Sequence, residues 1–272
     1  STNVLFGVQS VYMKNKTLAG GYYDYSMAAA FMSGVNEKDD FKILILGNGT
    51  GTFATQCKRY FENSSIEGVE IDQKITDLAV KYFEFPTDIP VSTYDGRAYL
   101  NAIDEKYDLI MVDAYQDITI PFQMSSVEFF TLVRDHLTDD GVMVVNMNMR
   151  SSKEGSINEY LSDTIASVFP EVYTAEVERY TNRCLYASLN KDMLDRMRRN
   201  NEAESSEELR SVIARVDSRL VPYEAGGHIM TDDKAPVELL GMRVIDELIR
   251  DEVAYYKGIF KEGGFKALLE SW

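Results

Sequence analysis

The stretch Phe41-Lys-Ile-Leu-Ile-Leu-Gly-Asn-Gly-Thr-Gly-Thr52 runs an apolar strand straight into Gly47, Gly49 and Gly51, with a helical pattern behind them. A glycine turn between strand and helix lets backbone approach a ligand closely. Three carboxylates follow at the ends of later strand-like runs: Glu70 in Gly-Val-Glu-Ile-Asp, Asp95 in Tyr-Asp-Gly, and Asp113 in Met-Val-Asp-Ala-Tyr. The carboxyl ends of parallel strands line one sheet edge, where such sheets bind ligands. Glu70 lies about twenty residues past the glycines, the spacing of an acid that accepts from ribose hydroxyls. Asp95 can accept from an adenine amino group or cap the helix Arg97–Ile103, and the two roles are compatible. Asp113 ends a strand apolar on both faces, so partial burial would raise its pKa and make it a better base. Together these residues read as a site for a nucleoside-bearing cofactor with a catalytic carboxylate beside it.

The elements that must position them alternate. Strands are expected at 42–47, 66–71, 91–94, 107–113, 141–147, 171–177 and 183–189. Between them, sets such as Ile75, Leu78, Ala79, Tyr82, Phe83 and Ile157, Tyr160, Leu161, Thr164, Ile165, Val168 repeat at helical spacing. Such alternation predicts an α/β fold: a seven-stranded, mostly parallel, doubly wound sheet with helices on both faces. The last two strands have only Glu178–Asn182 between them, which implies a terminal antiparallel hairpin. The chain divides into residues 1–25, β-like around Val8–Tyr12; 26–190, the nucleoside-binding domain opening with a helix over Tyr25–Met32; and 191–272, a helical extension. In that extension Lys191–Arg199 and Ser205–Val216 are charged helices, with Arg196-Met-Arg-Arg199 a solvated face; Val221–Ala235 is a loop, and a final helix follows Pro236.

Composition sets limits. The 28 basic residues stand against 44 acidic ones, a net charge of −16 that repels nucleic-acid phosphates and favours cationic ligands. There is no apolar run of about 18 residues, so no membrane insertion by this segment is expected. Cys57 and Cys184 fall in apolar periodic stretches and read as buried free thiols of a reducing, cytoplasmic compartment. His136 and His228 have no Cys or acidic partner at ligand spacing, so no metal site is expected.

The order Gly-x-Gly-x-Gly, Val-Glu-Ile-Asp, Asp-Gly, then a strand ending in Asp resembles spermidine synthase and the polyamine aminopropyltransferases, over about residues 7–190. It is most similar to the branch often fused to membrane segments, through Tyr-Asp-Gly-Arg97, Val-Asp-Ala-Tyr followed by Ile-Pro, Val127-Glu-Phe-Phe130 and Thr231-Asp-Asp-x-Ala-Pro-Val-Glu238. The resemblance implies the Rossmann-like class I methyltransferase fold. It also implies decarboxylated S-adenosylmethionine or S-adenosylmethionine as co-substrate, a small cationic amine as acceptor, and no metal. It admits a homodimer, and a full-length protein tethered to a membrane of which this chain is an excised piece. By position it implies that Gly47, Gly49, Thr50, Gly51, Glu70, Asp95 and Gly96 contact the nucleoside co-substrate and that Asp113 is the general base. Gln9, Tyr25, Gln116, Asp117 and Tyr180 then fall near the amine. Two positions depart from the family. Thr50 stands where the family's loop carries an aspartate that grips the aminopropyl ammonium, and Gln116, next to Asp117, stands where the family has a second aspartate. Aminopropyl transfer is the leading expectation. Methyl transfer from S-adenosylmethionine, and a non-catalytic nucleoside-binding domain of a membrane protein, are the alternatives.

Overall fold

The computed structural model describes residues 10–114, 120–147 and 154–270. Its first four strands are β1 (Phe41–Leu46), β2 (Ser64–Glu70), β3 (Val91–Thr93) and β4 (Tyr107–Val112). The later ones are β5 (Leu137–Met147), β6 (Glu171–Glu176), β7 (Arg183–Ser188) and β8 (Val221–Pro222). They form one sheet in the order β3-β2-β1-β4-β5-β7-β6-β8. The first five in that row pair parallel; β7 runs antiparallel to β6, as the short Glu178–Asn182 connection demands, and also to β5. The seven expected strands are present. The eighth, two residues long, pairs antiparallel with the edge of β6 inside the stretch expected to be loop.

Period-two alternation splits the core. Ile43, Ile45, Leu109, Met111, Val142 and Val144 face one side of the sheet. Leu44, Leu46, Ile110, Val112, Met143 and Val145 face the other. On the first side lie α1 (Tyr22–Ser26), α2 (Ala28–Met32), α3 (Thr52–Tyr60), α4 (Gln73–Tyr82), α8 (Met193–Ala203) and α9 (Glu207–Asp217). On the second lie α5 (Gly96–Ala102), α6 (Val127–Asp135), α7 (Ile157–Ala166) and the start of α10 (Val237–Glu270). Strands buried on both faces in this way read as the continuous apolar runs seen in the sequence. Each fully buried large side chain, such as Phe129 or Tyr186, contributes about 1.5–3 kcal/mol. Ser126, Ser156 and Ser206 cap α6, α7 and α9 by accepting from the third backbone N–H beyond them.

Three expectations change. Residues 10–21 form no strand, and Val11, Tyr12 and Met13 are exposed. A short ribbon with no sheet to pack on is marginal; Val8 and Gln9 lie outside the described residues. The helix expected over Tyr25–Met32 begins earlier and is broken in two, at α1 and α2. Arg196 is not a solvated side chain: it reaches Asp140 at 2.8 Å and Glu37 at 3.4 Å, because α8 packs across α2. Cys57 and Cys184 are free and buried. Among the described residues no helix is long and apolar enough to cross a membrane.

Candidate active site

The glycine turn is held from below. The backbone N–H groups of Gly47 and Asn48 both donate to the Val69 carbonyl at 2.9 Å, and Gly51 N–H donates to Asn48 O at 2.9 Å. Gly47, Gly49 and Gly51 all have positive φ, at +86°, +54° and +76°. Two of them are also fixed by space. A methyl group at Gly47 would lie 2.5 Å from the Asp113 carbonyl oxygen, and one at Gly51 would lie 2.0 Å from the Phe85 ring. At Gly49 it would meet nothing within 4 Å, so that glycine borders open space.

Glu70, buried at the end of β2, accepts from Gly49 N–H at 2.8 Å with Oε2 and from Asp72 N–H at 3.1 Å with Oε1. It therefore shapes the turn, and each oxygen keeps a second lone pair. Asp95 is an N-cap: Oδ1 accepts from Ala98 N–H at 2.8 Å. It stands beside Glu70 because β3 pairs with β2 and Tyr94 N–H donates to Glu70 O at 3.1 Å.

Asp113 sits where β4 opens onto the glycine turn, its N–H donating to Leu46 O at 2.9 Å. Both carboxylate oxygens are engaged. Tyr22 Oη donates to Oδ2 at 2.6 Å, and Asn146 Nδ2, from β5, donates to Oδ1 at 2.8 Å. Asn182 Nδ2, at the β6–β7 connection, donates to Asn146 Oδ1 at 2.9 Å, which orients the amide toward the acid. Burial pushes the Asp113 pKa from 3.8 up to about 7; the two donors oppose that rise and the Glu70 charge adds to it. Tyr22 lies against Tyr23 with ring centroids 3.9 Å apart and the rings tilted by 38°, and burial raises the Tyr23 phenol to about 12. These two rings form an aromatic wall beside a carboxylate, an environment suited to an organic cation.

Two polar side chains of the turn make no hydrogen bond within the protein although buried: Thr50 Oγ1, and both polar atoms of the Asn48 amide. Buried polar atoms ordinarily find partners. With Gly49 open beside them, they fit a site that supplies hydrogen bonds to a bound molecule.

The other anticipated contacts divide. Tyr25 does not reach the site. The core claims its ring, its hydroxyl accepts from Glu178 N–H at 3.4 Å, and its carbonyl accepts from Tyr186 Oη at 2.8 Å. Tyr22, one turn earlier and not anticipated, is the tyrosine that meets Asp113. Tyr180 is exposed on the β6–β7 connection. Gln9, Gln116 and Asp117 lie outside the described residues. Gly96 packs toward Met124 Cε. Asn146 and Asn182 carried no motif; only the strand pairing that puts β5 beside β4 and β7 beside β5 could have pointed to them.

His228, without an acidic neighbour in sequence, gains two in space: Asp163 at 3.5 Å and Glu159 at 3.8 Å. Asp163 accepts from Tyr223 Oη at 2.6 Å and from the backbone N–H groups of Gly226 and His228, both at 2.9 Å. The cluster latches the 223–230 segment onto α7. His136 bridges the carbonyls of Leu132 and Ile103.

Residues 24–200 match the spermine/spermidine synthase domain. The chain belongs to that family. The spermine/spermidine synthase domain covers both the glycine turn and Asp113, and it ends within α8. Over its whole length the chain is 54% identical to a protein of Bifidobacterium longum named "Probable polyamine aminopropyl transferase". It spans 64% of that relative's length, less than two thirds. It is 26% identical to the eEF1A lysine and N-terminal methyltransferase of Xenopus laevis, over 55% of this chain and 23% of that one. Among solved structures, human methyltransferase-like protein 13 in complex with SAH has a TM-score of 0.57 at 20% identity, covering 75% of this chain and 95% of that one. Spermidine synthase from Thermotoga maritima also scores 0.57, at 19% identity, covering 71% and 70%. These two likenesses show the fold, an α/β class I methyltransferase arrangement with an added edge strand and C-terminal helices.

Proposed function

We propose that this chain is the catalytic part of an aminopropyltransferase that uses decarboxylated S-adenosylmethionine and a small cationic amine. The observation that carries the reading is Asp113: a carboxylate against the glycine turn, gripped by two donors and raised to about 7. The amine nitrogen would attack the propyl carbon bonded to the sulfonium. The C–N bond forms, the C–S bond breaks with its electron pair passing to sulfur, and methylthioadenosine leaves. The proton shed by the amine passes to Asp113. A sulfonium is a good leaving group, so alignment and proton removal supply most of the rate. Glu70 and Asp95 would hold the ribose and the adenine, with Gly47, Gly49, Gly51 and Gly96 giving backbone access. Tyr180 and the Tyr22–Tyr23 wall would border the amine. The 54% identity to a protein named for this activity supports the reading.

A second reading, methyl transfer from S-adenosylmethionine, is favoured by Thr50, whose hydroxyl sets no negative charge against a carboxylate, and by the likeness to the eEF1A methyltransferase. Calorimetric titration with both co-substrates decides between them. Tighter binding of the decarboxylated form supports aminopropyl transfer, and the reverse supports methyl transfer. Binding of neither would leave a non-catalytic domain. A cytoplasmic location, a homodimer and a membrane tether elsewhere in the protein belong to the same proposal; fractionation and sedimentation of the full-length protein test them.

A further inference from the structure

Arg97 and the stretches Val127-Glu-Phe-Phe130 and Thr231–Glu238 have no part in the chemistry above. The fold ties them into one knot. Arg97 donates from Nη1 and Nη2 to the two carboxylate oxygens of Asp232, at 2.7 and 2.6 Å, and from Nη1 to Gln123 O at 3.0 Å. Asp232 also accepts from Ser126 Oγ at 2.5 Å, while its own N–H donates to Glu128 Oε2 at 3.0 Å. Val127 N–H donates to Met230 O at 2.9 Å. The Arg97 side chain is only 22% exposed.

The knot bears on the site through short links. Arg97 is in the first turn of α5, two residues past Asp95, and Asp95 caps that same turn at Ala98 N–H. Gly96, between them, packs toward Met124 in the 3-10 turn Phe122–Met124, which also supplies the Gln123 carbonyl. A single guanidinium thus joins the Asp95 turn, the Phe122–Met124 turn and the C-terminal segment. A bidentate arginine–carboxylate fork sets direction as well as distance, which a lysine cannot do.

We propose that the Arg97–Asp232 fork is a positioning clamp that holds the Asp95 turn in place, so that the C-terminal segment around Asp232 is an integral part of the nucleoside site. The proposal rests on the nucleoside reading given above. Arg97 acts through Asp95 and is a positioning residue.

The test is titration calorimetry with methylthioadenosine on the full chain and on Arg97→Lys, Asp232→Asn, Asp232→Glu, the Arg97→Lys/Asp232→Asn pair and Asp233→Asn, with melting temperatures alongside. Affinity is expected to fall about tenfold in Arg97→Lys and in Asp232→Asn, below the ~100-fold that a 1 Å displacement in a site can cost. The pair should lose no more than either single change, since both break one interaction. Asp232→Glu, which keeps a carboxylate for the fork, should recover most of the affinity; Asp233→Asn should be unchanged. Unaltered affinity in all variants of a chain that binds methylthioadenosine overturns the clamp and leaves the nucleoside reading standing. Additive losses that track falling melting temperatures also overturn it, because they mark a merely structural contact. No binding to the unmodified chain overturns the nucleoside reading and the clamp with it.

Discussion

Asp113 carries two linked consequences of its environment. Its folded pKa of about 7 lies above the ordinary 3.8, so between those values the folded chain holds a proton that the unfolded chain has lost. Stability therefore falls as pH rises across that window. Asp113→Asn should melt at a higher temperature than the unmodified chain at pH 8 and close to it at pH 4, read by calorimetry. In the proposed role of base, the same residue would work only when ionised, so kcat/KM should climb with pH along a limb near 7, and Asp113→Asn should cost roughly 10²–10⁴-fold in turnover. Tyr22→Phe removes a donor that favours the ionised form. The limb should then move up by about one to two pH units, the equivalent of one hydrogen bond to a charged group. A limb that stays in place in Tyr22→Phe would exclude Asp113 as the titrating group. In the proposed reading, Thr50 faces the other end of the co-substrate. Thr50→Asp should strengthen decarboxylated S-adenosylmethionine and weaken the intact form, each by about 1–3 kcal/mol. An unchanged affinity ratio would mean that the turn does not read the tail.

At the scale of elements, the β1–α3 turn and the end of β4 form one unit, because the Asp113 carbonyl occupies the space that a side chain at Gly47 would need. Gly47→Ala must both hold a left-handed backbone and push against main chain. The two penalties, about 1–2 kcal/mol for the conformation and about 1–3 for overpacking, add on one site. Urea unfolding should show a loss of at least ~2 kcal/mol at unchanged m-value; a smaller loss would mean that the turn yields easily. The β6–β7 hairpin is the second element with a stake in the chemistry. By reversing direction it sets Asn182 behind Asn146, and through it behind Asp113.

For the whole molecule, net charge is the property that a diffusing substrate meets first. With −16 overall, a dication should be drawn in and an anion repelled. For the aminopropyl reading, kcat/KM for a diamine should decline as ionic strength rises from about 10 to 150 mM, as the screening length shortens from roughly 30 to 8 Å. A salt-independent rate would show that the field does no steering. The packing of α8 and α9 into the same core as α1 and α2 continues past residue 190. The division of the chain at 25 and 190 remains a proposal, which limited proteolysis tests by where it first cuts.

The sequence by itself determined the strand–helix alternation, the seven main strands and the places of Gly47, Glu70, Asp95 and Asp113. Those are local matters: apolar period, turn chemistry and the rule that parallel strands present their carboxyl ends together. The tertiary structure decided which side chains meet. Tyr22 rather than Tyr25 reaches Asp113, since the core takes the ring of Tyr25. Asn146 and Asn182 join the acid across three strands, and Asp232 closes on Arg97 from 135 positions along the chain. Such contacts follow from register and packing between segments distant in sequence, and no periodicity within one segment records them.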